Sequence, residues 1–209
     1  MGRNLDPKCK QCRRFSEKLF LKGERCFGAK CAMVKKNYPP GLHGQKGFRR
    51  DSEYSKQLQA KQKAKKIFRL QEKQFRNYFT KASKMKGNIN TNLLILLENR
   101  FDNIVYRAGL TESRDKARQL INHAHFLING KKVNIPSYQL KVKDEITIRE
   151  KSKKAAVFGS VLENINNKSI PDWLNYDAKK QNVIVVDSPQ EKDFDSSIDT
   201  RLVIEFYSK

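Results

Sequence analysis

The chain has 209 residues, of which 38% are hydrophobic, enough for one large or two small domains with a modest core. Its formal net charge of +22 is far more than solubility requires, and self-repulsion of this size indicates a polyanionic partner, which we expect to be nucleic acid. No segment approaches the roughly 18 apolar residues of a membrane span, and no signal-peptide run follows Met1, so we expect a cytoplasmic protein without a membrane partner.

The positive charge is distributed unevenly along the chain. Residues 1–90 have a net charge of +19, residues 91–155 of +6, and residues 156–209 of −3. We therefore expect the first of these segments to lie deepest in nucleic acid. The last segment should face water or a basic protein neighbour.

Residues 1–50 are rich in Cys, Gly, Pro and cations and show no helical or strand period, so something other than an apolar core must order them. They contain Cys9, Cys12, Cys26 and Cys31, a C-x2-C pair followed by a C-x4-C pair. Two close pairs can place four thiolates at the corners of a tetrahedron, which predicts a structural zinc site. An iron–sulfur cluster is the alternative, because spacing does not separate the two. Disulfides are disfavoured, since cytosolic thiols stay reduced.

Residues 52–85 contain neither Gly nor Pro and repeat apolar side chains near helical spacing, with cations between them. This pattern predicts one or two basic amphipathic helices that end near Gly87. From Thr91 a wide apolar helical stripe extends to Gly109. A further helix is predicted at 114–123, with Ser113 as its N-cap.

The second half of the chain contains strand signals. Asn129-Gly130 lies between two apolar runs and predicts a β-hairpin. Residues 139–142 and 145–149 indicate another strand pair, residues 155–164 a helix, and residues 182–186 a strand. The last ten residues fit a strand by composition or a helix by spacing, and both remain open.

Together these elements predict an α+β fold, with a mainly helical N-terminal domain that carries the four-cysteine metal site and a small second domain built of two helices and an antiparallel sheet. The expected boundaries are a basic metal-binding extension at 1–50, a helical RNA-binding domain at 51–91 and a second domain at 92–186. Residues 187–209 form a C-terminal tail.

Cations that recur every three or four residues allow one helix face to follow a phosphate backbone. The cations predicted to bind RNA are Arg3, Arg13, Arg14, Lys35, Lys36, Lys46, Arg49, Arg50, Lys61, Lys65, Lys66, Arg69, Lys73, Arg76, Arg114, Lys116, Arg118, Lys131 and Lys132.

Motifs of the common enzyme classes are absent from the sequence, including G-x-S-x-G, H-E-x-x-H and G-x-x-x-x-G-K. His123 and His125 close a predicted helix, where interaction with its terminus is the ordinary role of such residues. RNA pseudouridine synthases use an Arg-x-Asp, but here Arg100-Phe-Asp102 lacks the Thr/Ser-Gly that should follow, so a structural ion pair is favoured. We expect no enzyme and no small-molecule substrate. The alternatives are an RNA-modifying enzyme, which would need a further catalytic domain, and a stand-alone zinc-containing RNA chaperone.

Five segments of the chain match the pattern of one known family. They are YPPGLHG at 38–44, EKQFRNY at 72–78, RFDNIVYR at 100–107, ARQLI at 117–121 and FYSK at 206–209. Through these segments the chain resembles the fourth small-subunit ribosomal protein of bacteria. These segments span nearly the whole chain in the family's order, and some bacterial members of the family carry the four-cysteine segment.

The resemblance implies a structural protein of the cytoplasmic small ribosomal subunit that binds the five-way junction in the 5′ domain of small-subunit ribosomal RNA and nucleates assembly. It implies that the helix–helix–antiparallel-sheet domain is an RNA-binding domain, with a compact module at about residues 98–162, and that the C-terminal tail packs on the first domain. It implies contact with the fifth small-subunit ribosomal protein through the C-terminal half. It also implies a place beside the path of incoming messenger RNA, with a contribution to translational accuracy. Lys46, Arg49 and Arg50 are the messenger-path candidates by position.

Overall fold

The computed structural model describes residues 4–46, 51–153, 158, 169–177 and 180–208. The chain forms two compact units. The first contains residues up to Leu93 together with those from Asp195 onward, and the second contains Leu94–Phe194. The chain therefore leaves the first unit and returns to it at its C-terminal end.

The helices of the described residues are α1 (Lys8–Phe15), α2 (Ala32–Lys35), α3 (Glu53–Ile67), α4 (Glu72–Lys84), α5 (Ile89–Glu98), α6 (Phe101–Arg107), α7 (Arg114–Asn122), α8 (Glu150–Lys153) and α9 (Thr200–Tyr207). The strands are β1 (Phe126–Ile128), β2 (Lys131–Lys132), β3 (Glu145–Ile148), β4 (Leu174–Asp177) and β5 (Asn182–Val185). This arrangement confirms the predicted α+β class.

The predicted basic amphipathic segment forms two helices of the first unit, α3 and α4. Helix α3 begins at a Ser52 N-cap, whose hydroxyl accepts a hydrogen bond from the Ser55 amide at 3.3 Å. Ala64 and Ile67 lie three residues apart on its buried face. The chain turns between the two helices at Arg69, which has a positive φ of 56°.

The last ten residues, for which the sequence left strand and helix open, contain helix α9. The Asp199 side chain caps it by accepting from the Arg201 and Leu202 amides at 3.0 and 3.2 Å. Val203 is fully buried, and α9 packs against α3, where Gln57 donates to the Glu205 carboxylate at 3.0 Å. The C-terminal tail therefore completes the first unit.

The long apolar stripe from Thr91 forms two helices, α5 and α6, rather than one. The break lies at Arg100, whose extended backbone (φ −70°, ψ 140°) pairs with Gln139 as an isolated β-bridge. After Gly109, Ser113 caps α7 as predicted, accepting from the Lys116 amide at 3.3 Å.

The second unit contains a five-stranded sheet in the order β2-β1-β3-β5-β4, with each neighbouring pair antiparallel. Strands β1 and β2 form the predicted hairpin, with Asn129 and Gly130 both at positive φ (49° and 76°), as a tight two-residue turn requires. The hydrophobic core of the second unit includes Phe101, Phe126 and Trp173. The strand predicted at 182–186 is also confirmed, as β5.

The predicted pairing of 139–142 with 145–149 is wrong. Strand β3 pairs with β1 and β5 instead. The preceding segment is attached to the junction of α5 and α6, because the Leu140 amide donates to the Asn99 carbonyl at 3.0 Å and Gln139 donates to the Leu96 carbonyl at 3.1 Å. The helix predicted at 155–164 lies outside the described residues, except for Phe158.

Candidate RNA-binding surface and four-cysteine site

The four cysteines line one small cavity in the first unit. Cys9 and Cys12 lie three residues apart on α1 and so share a helix face. Cys26 ends a 3-10 turn, and Cys31 directly precedes α2. All four are free thiols around a cavity of about 20 Å³, which has room for a single ion or water molecule. Helix α1 was not predicted from the sequence, because its cysteines and cations give no apolar period.

The donor set of this cavity fits a structural metal in its chemistry. Cys12, Cys26 and Cys31 are buried. Burial raises the pKa of the Cys12 thiol, and repulsion from the other three cysteines raises this pKa further, as expected of neighbours in one small site. The described residues contain no group of three or more Cys, His, Asp or Glu side chains that could hold a metal ion as they stand. Metal binding would therefore require the thiols to converge, after which four thiolates would leave no open coordination position.

The loop that follows the cysteines is fastened to α1 by Arg13. Its guanidinium donates to the Tyr38 carbonyl at 2.9 Å and to the Pro39 carbonyl at 3.1 Å, and it lies over the Tyr38 ring at 4.6 Å. Gly44 closes the same loop, since a Cβ there would lie 1.9 Å from the Pro39 oxygen. Arg13, predicted to bind RNA, therefore has a structural role.

The cations predicted to bind RNA differ widely in exposure. Those with exposed side chains are Arg14, Lys35, Lys36, Lys46, Lys73, Arg76, Lys131 and Lys132. Those that are partly buried are Arg13, Lys65, Lys66, Arg114 and Lys116. Arg3, Arg49 and Arg50 lie outside the described residues. The exposed group contains the side chains that can reach phosphate without rearrangement.

Three of the predicted cations are buried rather than exposed to solvent. Arg69 donates to Gln11 Oε1 at 3.1 Å and to the Asn4 carbonyl at 2.7 Å, so it attaches the N-terminal segment to the turn after α3. Lys61 and Arg118 are also buried. The sequence pattern placed all three among the RNA-binding cations, because spacing alone does not show which side chains are buried.

Glu72 is the partner of two of the cations predicted to bind RNA, Lys61 and Lys65, and joins three helices of the first unit. Its carboxylate accepts from Lys61 at 3.0 Å, from Lys65 at 2.7 Å and from the Tyr207 hydroxyl at 2.8 Å. Although burial alone would raise the pKa of Glu72, the hydrogen bonds from Lys65, Tyr207 and Lys61 lower it to about 2. Burial and the hydrogen bond to Glu72 raise the Tyr207 pKa. Lys61 also lies 4.5 Å from the Phe206 ring.

Helix α4 presents a continuous cationic face. Its buried side is formed by Phe75, Tyr78 and Ala82. Its exposed cations are Lys73, Arg76, Lys81 and Lys84. Among the described residues, no carboxylate forms an ion pair with any of these four cations. Sequence reasoning missed Lys81 and Lys84, although they continue the same helical period.

Two family descriptions match the chain, "Ribosomal protein S4/S9 N-terminal domain" at residues 3–98 and "S4 domain" at residues 100–146. Similar proteins named "Small ribosomal subunit protein uS4" occur in Syntrophomonas wolfei, Desulforamulus reducens and Clostridioides difficile. Each is 48% identical over 209 residues and is matched over the full length of both chains. The chain belongs to the uS4 family.

Membership of the uS4 family confirms the resemblance found in the sequence segments. The named uS4 relatives are ribosomal proteins rather than enzymes, which confirms that the chain is not an enzyme. The S4 domain match includes α6, α7 and the β1–β2 hairpin. Its exposed Lys131 and Lys132 lie on β2, at the edge of the sheet.

No described helix is both long enough and apolar enough to cross a membrane.

The Arg-x-Asp that suggested a pseudouridine synthase is a buried ion pair in this uS4-family chain. Arg100 Nε and Nη2 donate to the two carboxylate oxygens of Asp102 at 3.0 and 2.6 Å, and both side chains are almost completely buried. His123 ends α7, and His125 Nδ1 lies 3.0 Å from the Ser152 hydroxyl. Burial, followed by the charge of His123, lowers the His125 pKa. The structure thus gives Arg100, Asp102 and His125 partners within the fold.

Proposed function

We propose that this chain is a structural component of the cytoplasmic small ribosomal subunit and binds small-subunit ribosomal RNA directly. The observation that carries the proposal is the exposed cationic face of α4. Four cations on one helix, free of carboxylate partners among the described residues, can follow a phosphate backbone. The net charge of +19 on residues 1–90 supports the same assignment, as does uS4-family membership.

A pair of matched triple variants tests this proposal. Replacing Lys73, Arg76 and Lys84 by Ala removes three cations from the α4 face. Replacing Lys180, Lys192 and Arg201 by Ala removes the same charge from exposed positions in the acidic C-terminal region. Binding to a transcript of the 5′ domain of small-subunit ribosomal RNA is measured from low to high salt.

The α4 variant should weaken binding and flatten the salt dependence, reducing the slope of log K against log[salt] by about 2 units. The control should leave the slope close to that of the unaltered chain. Equal slopes for both variants would contradict the proposed interface. Retention on small subunits through a high-salt gradient separates a resident subunit protein from a stand-alone RNA chaperone.

The finer function follows the family resemblance. We propose that the chain binds the five-way junction of the 5′ domain and nucleates assembly, with RNA read through its backbone and shape rather than its sequence. The acidic C-terminal segment, with a net charge of −3 over residues 156–209, suits contact with a basic protein, the fifth small-subunit protein. Exposed Lys46 supports a place beside incoming messenger RNA, where the chain would contribute to translational accuracy.

We also propose that Cys9, Cys12, Cys26 and Cys31 hold one structural zinc ion. The proposal is supported by the four free thiols around one small cavity and by the burial of three of them. Bound zinc would contribute folding free energy on the order of 10 kcal/mol to residues 8–36, the four-cysteine lobe, by analogy with zinc-finger peptides.

Metal analysis of the purified chain tests the zinc site. The unaltered chain should contain about one zinc per molecule, and Cys12→Ser should lose most of it. An iron–sulfur cluster would be recognised by iron, sulfide and visible absorption. A chain that folds and binds RNA equally well before and after complete chelation would contradict a structural metal.

A further inference from the structure

Two phenylalanines are exposed side by side on the four-cysteine lobe. The rings of Phe20 and Phe27 lie 5.0 Å apart at an interplanar angle of 30°. Phe27 is 74% exposed and Phe20 is 39% exposed. Aromatic side chains of this size are ordinarily buried, so an exposed aromatic pair indicates a binding surface.

The backbone holds Phe20 outward at an energetic cost. Its neighbours Leu19 and Leu21 are buried, while Phe20 has a positive φ of 49°. A bulky side chain rarely occupies this left-handed region, which glycine or asparagine fills more easily. Strained backbone of this kind concentrates at functional sites. The conformation brings the Phe20 ring against Phe27 instead of into the core.

The positive charge near Phe20 and Phe27 in the chain indicates which kind of molecule they bind. Lys18, Lys22, Arg25 and Lys30 are exposed on the same stretch of chain, and the ion pairs of the described residues include none of them. A partner that meets these cations must be polyanionic, and one that meets the rings must offer a flat apolar face. An unpaired nucleotide satisfies both demands, with its base on the ring and its phosphates beside the cations.

The Phe27 side chain is accessible to such a base, because most of its surface is exposed. At the adjacent Gly28, leaving aside its two chain neighbours, no heavy atom lies within 4 Å of the position that a Cβ would occupy, so the turn beside Phe27 is uncrowded. We propose that Phe20 and Phe27 form an aromatic platform that stacks on an unpaired base of the bound RNA. This inference rests on the proposed RNA-binding function and specifies how the four-cysteine lobe takes part in it.

Substitution of Phe27 tests the platform in the full chain. Phe27→Ala removes the ring, Phe27→Leu keeps apolar bulk without a π face, and Val34→Ala is the control at an exposed apolar side chain of the same lobe. Each variant is titrated with the 5′-domain transcript and with a fully paired RNA duplex. Circular dichroism and metal content check that the lobe remains folded.

Phe27→Ala should weaken transcript binding about tenfold, with Phe27→Leu close to it, because stacking requires the aromatic face. The salt slope should stay unchanged, since no charge is removed, and duplex binding should change less than about twofold. In Phe27→Trp the transcript should quench the new indole, whereas Trp173, which is buried, supplies a constant background.

Full transcript affinity in Phe27→Ala would overturn the platform while leaving the proposed RNA-binding function intact. Full affinity in Phe27→Leu together with loss in Phe27→Ala would also overturn it, in favour of a plain apolar contact. If the unaltered chain ignored the transcript at physiological salt, the proposed function itself would fail.

Discussion

Removing one member of the Arg100–Asp102 pair should severely destabilise the second unit. The two side chains are 0% and 4% exposed, so solvent cannot screen the charge that Asp102→Leu would leave on Arg100. Breaking a buried pair in this way costs about 3–5 kcal/mol in the free energy of unfolding. With a urea m-value of about 2 kcal/mol/M, the unfolding midpoint should fall by roughly 2 M.

The fluorescence of Trp173, the chain's single tryptophan, reports this transition, because it is buried in the same core cluster as Phe101. The double variant Arg100→Met/Asp102→Leu removes both charges and should be more stable than Asp102→Leu alone. A midpoint shift below about 0.5 M for Asp102→Leu would show that the pair contributes little to stability. A double variant whose cost equals the sum of the two single costs would show that the two charges are not coupled.

Two further predictions concern the first unit. Gly44→Ala should displace the loop that Arg13 holds, because the new Cβ would lie 1.9 Å from the Pro39 oxygen. Gly28→Ala is the control, since its Cβ would meet no atom within 4 Å apart from its chain neighbours. Limited proteolysis should cleave the Gly44→Ala variant more quickly than the unaltered chain and leave the rate for Gly28→Ala unchanged. Glu72→Gln should lower the free energy of unfolding at neutral pH by about 1 kcal/mol; solvent screens the charge, because the side chain is 46% exposed. Hydrogen exchange of the α9 amides should become faster, because α9 loses the Tyr207 contact with the carboxylate. Since the pKa of Glu72 falls from 4.5 to about 2 on folding, the contribution of its carboxylate to stability is complete above about pH 4.5 and is lost as the pH falls towards 2. The acid unfolding of Glu72→Gln should lack this part of the transition. Unchanged hydrogen exchange of α9 in Glu72→Gln would contradict the role of Glu72.

The sequence contained most of the information on local structure. Capping and turn chemistry predicted the Ser113 N-cap and the Asn129-Gly130 hairpin, because these depend on neighbouring residues. The period of apolar residues predicted α3 and α4 in the same way. Charge distribution along the chain indicated a polyanionic partner before any contact was known.

Long-range partners were not predictable from spacing. The break between α5 and α6 exists because the backbone of Arg100 pairs with Gln139, which lies far along the chain. The missing strand at 139–142 has the same cause, since that segment is attached to the α5–α6 junction. The helix and strand propensities of neighbouring residues do not depend on such long-range contacts and therefore cannot predict them.

For the candidate site, the residue types could be read from the sequence: four cysteines at metal-binding spacing and an excess of cations over residues 1–90. Which cations face solvent became clear from the packing, which places Lys73 on the exposed face of α4 and Lys61 against Glu72. A helical period shows which residues share a face, but the elements packed against the helix determine which face is buried. The C-terminal segment is a further case. Its sequence allows a strand or a helix, and its packing on α3 favours the helix α9.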